Sequence, residues 1–196
     1  PVPAFHVMAK PTGARCNLAC DYCFFLKKDR LYPGGTFRMS EGTMEAYIRQ
    51  TLDGQTAPEV VLTWQGGEPT LLGTEFFERA VRLQQHYAAG RRVTNSLQTN
   101  GILLTPEWCQ FLKKHNFMVG ISLDGMEEVN DRFRGVKGAF AKALSGIAAC
   151  QEAGIKVGLR FTINHHNIKE LDKIFDFIEA ENIDRVCFYH LVYSGR

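Results

Sequence analysis

Apolar and polar positions along this chain alternate between two rhythms. Short apolar runs at residues 5–9, 60–64, 93–99, 118–123, 157–163 and 185–191 read as strands. Between them lie longer stretches in which apolar residues recur every three or four positions, the rhythm of a helix with one buried face. Residues 40–52 bring Met44, Ile48 and Leu52 to one face. Residues 74–87 do the same with Phe77, Val81 and Gln84, flanked by Phe76, Ala80 and Leu83. Thr105-Pro106-Glu107 supplies a capping hydroxyl, a proline at the first helical position and an acid, so a helix is expected from there to about residue 116. Residues 139–153 carry Phe140, Leu144, Ile147 and Gln151 on one face, and Gly154 stops them. Asn167 with Glu170 reads as a capping box that opens a helix faced by Leu171, Ile174, Phe175 and Ile178.

Six strand–helix units imply an α/β fold with a parallel sheet. Strands this uniformly apolar are expected under helices on one or both faces. Right-handed crossovers wind such units into a barrel or an open sheet, and six units are fewer than the eight of a closed barrel. In either topology the loops at the carboxyl ends of the strands carry the chemistry. No linker, repeat or low-complexity segment divides the chain, so a single domain over residues 1–196 is expected.

Composition narrows the function classes. Of 196 residues, 45% are apolar and 22% charged, and the net charge of +2 gives no general argument for nucleic acid or an anionic membrane. No apolar run approaches the ~18–20 residues of a membrane span. Pro1-Val2-Pro3-Ala4-Phe5 lacks the basic and apolar regions of a secretory leader, and a cytoplasmic location is expected. The missing initiator Met suggests a fragment or a trimmed chain. Cys16, Cys20 and Cys23 fall within eight residues, while Cys109, Cys150 and Cys187 are isolated and read as small core residues. A tight triplet in a cytosolic chain points to metal rather than to a disulfide framework.

The unusual residues gather after the strands. The triplet follows the first strand, and three thiolates with no fourth nearby would leave one iron of a cubane cluster open. Zinc is the alternative, though a structural zinc site would ask for a fourth Cys or His, and His6 lies on the strand before the loop. Gln65-Gly66-Gly67-Glu68-Pro69 follows the second strand. Its glycines permit close backbone approach to a ligand, and Glu68 is an acid able to accept from an ammonium; a tight strand–helix turn is the plainer reading. Gln98-Thr99-Asn100-Gly101 follows the third strand and Ser122-Leu123-Asp124-Gly125 the fourth. Gln65, Gln98, His190 and Tyr193 are candidate substrate contacts. His165-His166 reads as a solvated cap and Lys27-Lys28 as a solvated face.

Cys16-Asn17-Leu18-Ala19-Cys20-Asp21-Tyr22-Cys23 resembles the signature of the radical S-adenosylmethionine (radical SAM) enzymes. The resemblance implies a partial (β/α)6 TIM-like barrel and a [4Fe–4S] cluster on Cys16, Cys20 and Cys23. The open iron would hold the amino and carboxylate groups of S-adenosylmethionine. Reductive cleavage would then give a 5′-deoxyadenosyl radical that takes hydrogen from a substrate. It further implies that Tyr22 and Leu191 pack by the adenine and that Gly66, Gly67 and Glu68 hold the methionine amino group. Ser122 would bond ribose or carboxylate, and Arg134, with Arg132 as competitor, would pair with the methionine carboxylate. It assigns no catalytic side chain. Trp64-Gln65-Gly66-Gly67-Glu68-Pro69-Thr70-Leu71 and the stretches around residues 5–12 and 38–40 resemble anaerobic sulfatase-maturating enzymes, which oxidise a Cys or Ser of a client protein to formylglycine. Val129-Asn130-Asp131-Arg132-Phe133-Arg134-Gly135-Val136-Lys137-Gly138 and residues 187–196 resemble radical SAM enzymes of haem biosynthesis. The partners implied are a peptide or protein substrate such as a sulfatase and an electron donor such as flavodoxin or ferredoxin, with no nucleic acid or membrane. Both families normally continue into a Cys-rich extension with auxiliary clusters, which these residues do not supply. A non-catalytic iron–sulfur or zinc protein is the reading from another class.

Overall fold

Six parallel strands form one sheet in the order β1-β2-β3-β4-β5-β6. The computed structural model describes residues 4–25 and 28–191, so Lys27 and Tyr193 lie outside the described residues. The strands are β1 (Met8–Ala9), β2 (Glu59–Trp64), β3 (Arg92–Thr99), β4 (Phe117–Leu123), β5 (Val157–Ile163) and β6 (Arg185–His190). The helices are α1 (Glu41–Asp53), α2 (Thr74–Tyr87), α3 (Pro106–Lys114), α4 (Glu127–Arg134), α5 (Ala139–Glu152) and α6 (Leu171–Ala180). A doubly wound sheet reverses its strand order at a switch point, whereas a barrel lays each strand beside the last. The sequential order here is that of a partial (β/α)6 barrel, with β1 and β6 as its edges.

The strands alternate between buried and partly exposed residues, which corrects the expectation of uniformly apolar runs. β4 buries Phe117, Val119, Ile121 and Leu123 and leaves Met118, Gly120 and Ser122 between them. β5 buries Val157, Leu159 and Phe161 and leaves Gly158, Arg160 and Thr162. The register aligns the second set: Gln98 with Gly120, Gly120 with Gly158, Ser122 with Arg160, Thr162 with Tyr189. One face is therefore apolar beneath the helices, and the other carries glycines and mostly polar side chains.

The apolar face centres on Trp64, fully buried and edge-to-face with Tyr47, Phe76 and Phe77. Its indole N–H donates to Asn95 Oδ1 at 2.8 Å, and Asn95 exchanges two further hydrogen bonds with Gln84. This buried polar set is satisfied internally, as burial requires. Ser40 caps α1 by accepting from Thr43 N at 3.1 Å, and Thr105 caps α3 by accepting from Trp108 N at 3.3 Å.

Two elements depart from the hydrophobic pattern. Helix α4 buries Asn130 and Arg134 rather than its two apolar residues, Val129 and Phe133, which stay partly exposed. It is fixed by polar bonds: Asn130 Oδ1 accepts from Asp124 N at 3.0 Å, and Arg134 reaches the Asp124 carboxylate. Asn167 opens a 3-10 turn (Asn167–Glu170) rather than capping a helix, and α6 begins at Leu171. Its side chain accepts from Asn164 N and donates to the carbonyls of Asp124 and Thr162, tying the ends of β4 and β5 together.

Candidate active site at the carboxyl ends of the strands

The loop after β1 has little regular structure of its own, so its position depends on bonds to its neighbours. Gly67 N donates to Gly13 O at 2.8 Å and Glu68 N to Arg15 O at 2.9 Å, fastening the loop to the end of β2. Ala19 N donates to Arg134 O and Asp21 N to Phe133 O, fastening its other side to the end of α4. Two glycines make these approaches possible. A Cβ on Gly67 would lie 1.9 Å from Arg15 O, and one on Gly135, which ends α4 at φ +69°, would lie 2.9 Å from Ala19 O. Beneath the loop, Leu18, Cys20 and Ala139 form a small apolar cluster of their own.

So held, the loop turns Cys16, Cys20 and Cys23 to a cavity of about 430 Å³. Burial pushes the Cys20 thiol up to about 12 and raises that of Cys16. Leu18 N donates to Cys16 Sγ at 3.4 Å. Asn100 Nδ2 donates to Asn17 Oδ1 at 2.7 Å and so joins the loop to the end of β3. Tyr22, Gly66, Gly67, Glu68, Ser122 and Arg134 line the same cavity, as do Gln65 and Gln98.

Glu68 is fully buried and its carboxylate is heavily engaged. Oε1 accepts from Thr70 N, Thr70 Oγ1 and Thr99 Oγ1 at 3.0, 2.6 and 2.8 Å, and Oε2 accepts from Asn100 N at 2.8 Å. The sequence suggested an acid free to receive an ammonium; in the structure it first brackets the ends of β2 and β3. Burial raises its pKa, against the pull of those hydrogen bonds. None of the ion pairs among the described residues includes Glu68. A cationic group in the cavity would supply the charge it lacks.

Arg134 is likewise engaged. Its Nε lies 2.6 Å from Asp124 Oδ2, with both side chains buried. Tyr22 OH donates to the same carboxylate oxygen. Only the remainder of the guanidinium is left for an anionic ligand, so the expected carboxylate contact is narrower than an unengaged Arg would give. Asp124, fully buried, was not singled out in the sequence because Ser122-Leu123-Asp124-Gly125 reads as a turn. Its Oδ1 has no hydrogen-bond partner among the described residues. Gln98 Nε2 donates to Ser122 Oγ at 2.7 Å, and Gln98 Oε1 is buried without a partner among the described residues. A Cβ on Gly120 would meet that oxygen at 2.4 Å, so a bare backbone on β4 is what admits the amide.

His190 and Leu191, expected on this rim, are not on the cavity wall. The two-residue period of β6 turns Tyr189 toward Arg160 and Thr162 and leaves His190 exposed on the opposite side. Leu191 N donates to Ile163 O at 3.0 Å beyond the strand end. The wall also includes Thr99 and Asn100, from the loop already noted after the third strand, and Arg160, Thr162 and Tyr189, which sequence reasoning passed over. Thr162 and Tyr189 lie next to the ends of β5 and β6, whereas Arg160 sits in the middle of β5.

The donor set suits an iron–sulfur cluster. Among the described residues no three His, Cys, Asp or Glu side chains gather as ligands of a single metal ion. A cubane asks for one thiolate on each of three irons, and Cys16, Cys20 and Cys23 all line the cavity. Three cavity-facing thiols, an uncompensated buried carboxylate and a guanidinium edge fit the cluster together with an amino acid's ammonium and carboxylate.

Known proteins agree. A sequence profile of the radical SAM superfamily matches residues 11–178. The chain is 37% identical over 191 residues to a serine-type anaerobic sulfatase-maturating enzyme of Bacteroides thetaiotaomicron, covering 95% of this chain and 46% of that protein. It is 43% identical over 183 residues to the Fe-coproporphyrin III synthase of Methanosarcina barkeri, covering 93% of this chain and 43% of that one. The chain thus spans about half the length of the curated relatives it matches. Among solved structures, native anSMEcpe with bound AdoMet and Kp18Cys peptide superposes with a TM-score of 0.86 at 26% identity, over 95% of this chain and 51% of that one.

Proposed function

This chain belongs to the radical SAM superfamily, and from that premise we propose that residues 1–196 are the catalytic core of an oxidoreductase that modifies a Cys or Ser of a peptide or protein. The observation that carries this reading is the convergence of the three thiols with Gly66, Gly67, Glu68, Ser122 and Arg134 on one cavity. When bound, the [4Fe–4S] cluster and S-adenosylmethionine supply an electron and a 5′-deoxyadenosyl radical able to abstract hydrogen from a substrate carbon. The chain's own residues position and enclose. Cys16, Cys20 and Cys23 hold the metal. Glu68 offers its uncompensated charge toward the methionine ammonium, and the Arg134 guanidinium, oriented by Asp124, faces the carboxylate. Ser122 and Gln98 present polar groups to the ribose side, and Tyr22 walls the loop. On the β5–β6 side, Arg160, Thr162 and Tyr189 face the space left for substrate.

A peptide substrate is supported by the 37% identity to a sulfatase-maturating enzyme and by the likeness to a relative that holds a peptide. The 43% identity to a synthase named for Fe-coproporphyrin III supports tetrapyrrole chemistry as the second reading. No helix among the described residues is long and apolar enough to cross a membrane. Reduced thiols and an oxygen-sensitive cluster suit the cytoplasm, with a flavodoxin or ferredoxin as electron donor.

Anaerobic reconstitution with iron and sulfide, followed by dithionite and S-adenosylmethionine, is expected to yield 5′-deoxyadenosine. A preparation with four irons per chain that yields none sinks the proposal. Added separately, a sulfatase-derived peptide is expected to be oxidised and a porphyrinogen to be left unchanged; the reverse outcome establishes the second reading.

A further inference from the structure

The charge of this chain is concentrated in one segment. Residues 10–38 hold six basic residues against two acidic ones, a net +4 in a chain whose total is +2. That segment contains the cysteine triplet. On its outer side lies a second cavity, of about 820 Å³, with Lys10, Lys28 and Arg38 among aromatic rings. Lys28 Nζ sits 3.4 Å over the Phe24 ring and Lys10 Nζ 4.1 Å over the Phe25 ring, so the rings hold both ammonium groups at the groove. None of the ion pairs among the described residues includes Lys10, Lys28 or Arg38. Partial burial and the nearby Lys28 lower the pKa of Lys10.

Two contacts join this groove to the thiol-lined cavity. Phe24, 47% exposed, follows Cys23 directly in sequence, and Phe25 lines both cavities. The two rings meet edge-to-face at 5.0 Å. A partner seated in the groove would have one aromatic ring between itself and the metal-binding wall.

We infer that this groove is the docking surface of an acidic one-electron carrier protein, with Lys10, Lys28 and Arg38 facing its carboxylates. The inference rests on the cluster-binding reading above. Electrostatic complementarity of this kind steers encounter and sets orientation. In the transfer, the carrier loses one electron and the metal site gains it; no bond or proton changes hands.

Binding is measured by anaerobic calorimetry of the iron-reconstituted chain with a bacterial flavodoxin as probe. The expected result is an affinity that falls as salt rises. It should also fall by about 10-fold or more in Lys28→Glu/Arg38→Glu. Dithionite, which needs no docking, should give the same 5′-deoxyadenosine yield in both proteins. If circular dichroism shows the reversed pair misfolded, Lys28→Gln/Arg38→Gln is read instead, with a smaller loss expected. Equal flavodoxin affinity in parent and variant overturns the inference, as does a parent that does not bind flavodoxin at low salt. A changed dithionite yield also overturns it, because the cations would then act on the cluster itself. Failure of the parent with dithionite is failure of the cleavage reading and leaves the binding comparison intact.

Discussion

The two sides of the cavity are built differently. On the β1–β4 side the strand ends bond to one another: the loop after β1 to Gly67 and Glu68, Glu68 to Thr99 and Asn100, Arg134 and Tyr22 to Asp124. On the β5–β6 side, β6 leaves five of its six residues exposed or at an edge, with Phe188 at 40% and Tyr189 at 50% exposure. The first side is interlocked, because most of its polar side chains hold one another or the neighbouring backbone. The second is open, and its shape remains available to a substrate. What radical SAM proteins share would then be fixed on the interlocked side, and what distinguishes them on the open side.

The strongest way to break this comparison is at its most buried charge. Asp124→Ala leaves the Arg134 guanidinium buried without its anion and removes the acceptor of Tyr22. The expected cost is about 3–5 kcal/mol, read by anaerobic urea denaturation. A loss no larger than that of a surface substitution would mean the interlock does not govern folding.

Gly67→Ala comes next. The added methyl collides with a backbone carbonyl, Arg15 O, which cannot rotate away as a side chain would. Overpacking of this kind costs about 1–3 kcal/mol or more. The displaced loop should hold less iron after reconstitution, with iron per chain as the readout. Full iron content would show that the loop does not need this approach.

Much of this was legible in the sequence, for separable reasons. The strands and most helices declare themselves because their burial follows a period: α2 spans residues 74–87 as expected, and β5 residues 157–163. Helix α4 was not legible, because its buried residues are Asn130 and Arg134 and a search for apolar periodicity passes over polar anchors. The cysteines and Gly66-Gly67-Glu68 were legible as a motif. The engagement of Glu68 and Arg134 was not, since Thr99, Asn100 and Asp124 are distant in sequence or read as turn residues. The polar inner face was not legible as a face: Gly120 and Gly158 come into line beside Ser122 and Arg160 only through the register.

Glu68→Gln sharpens the first side of the comparison. Oε1 serves the Thr70 N–H and Oε2 the Asn100 N–H. Whichever way the new amide turns, its NH2 faces one of these backbone donors. One buried N–H then loses its acceptor, at about 1–3 kcal/mol, offset in part by removing a buried charge. A lowered melting temperature is expected. An unchanged one would place the weight of the β2–β3 junction on its backbone alone.

Tyr189→Ala should have the smallest effect on the fold and tests the open side. The ring is half-exposed, 5.9 Å from the Arg160 guanidinium, and lines the cavity without a buried polar partner. Its removal should change stability by no more than about 0.5 kcal/mol. Formation of 5′-deoxyadenosine without substrate should persist, because the thiols, Glu68 and Arg134 lie on the other side. Oxidation of an added peptide should fall, with more 5′-deoxyadenosine released per peptide modified. A proportional loss of both products would mean that Tyr189 supports the cofactor side, and the division between fixed chemistry and open specificity would have to be redrawn at β5.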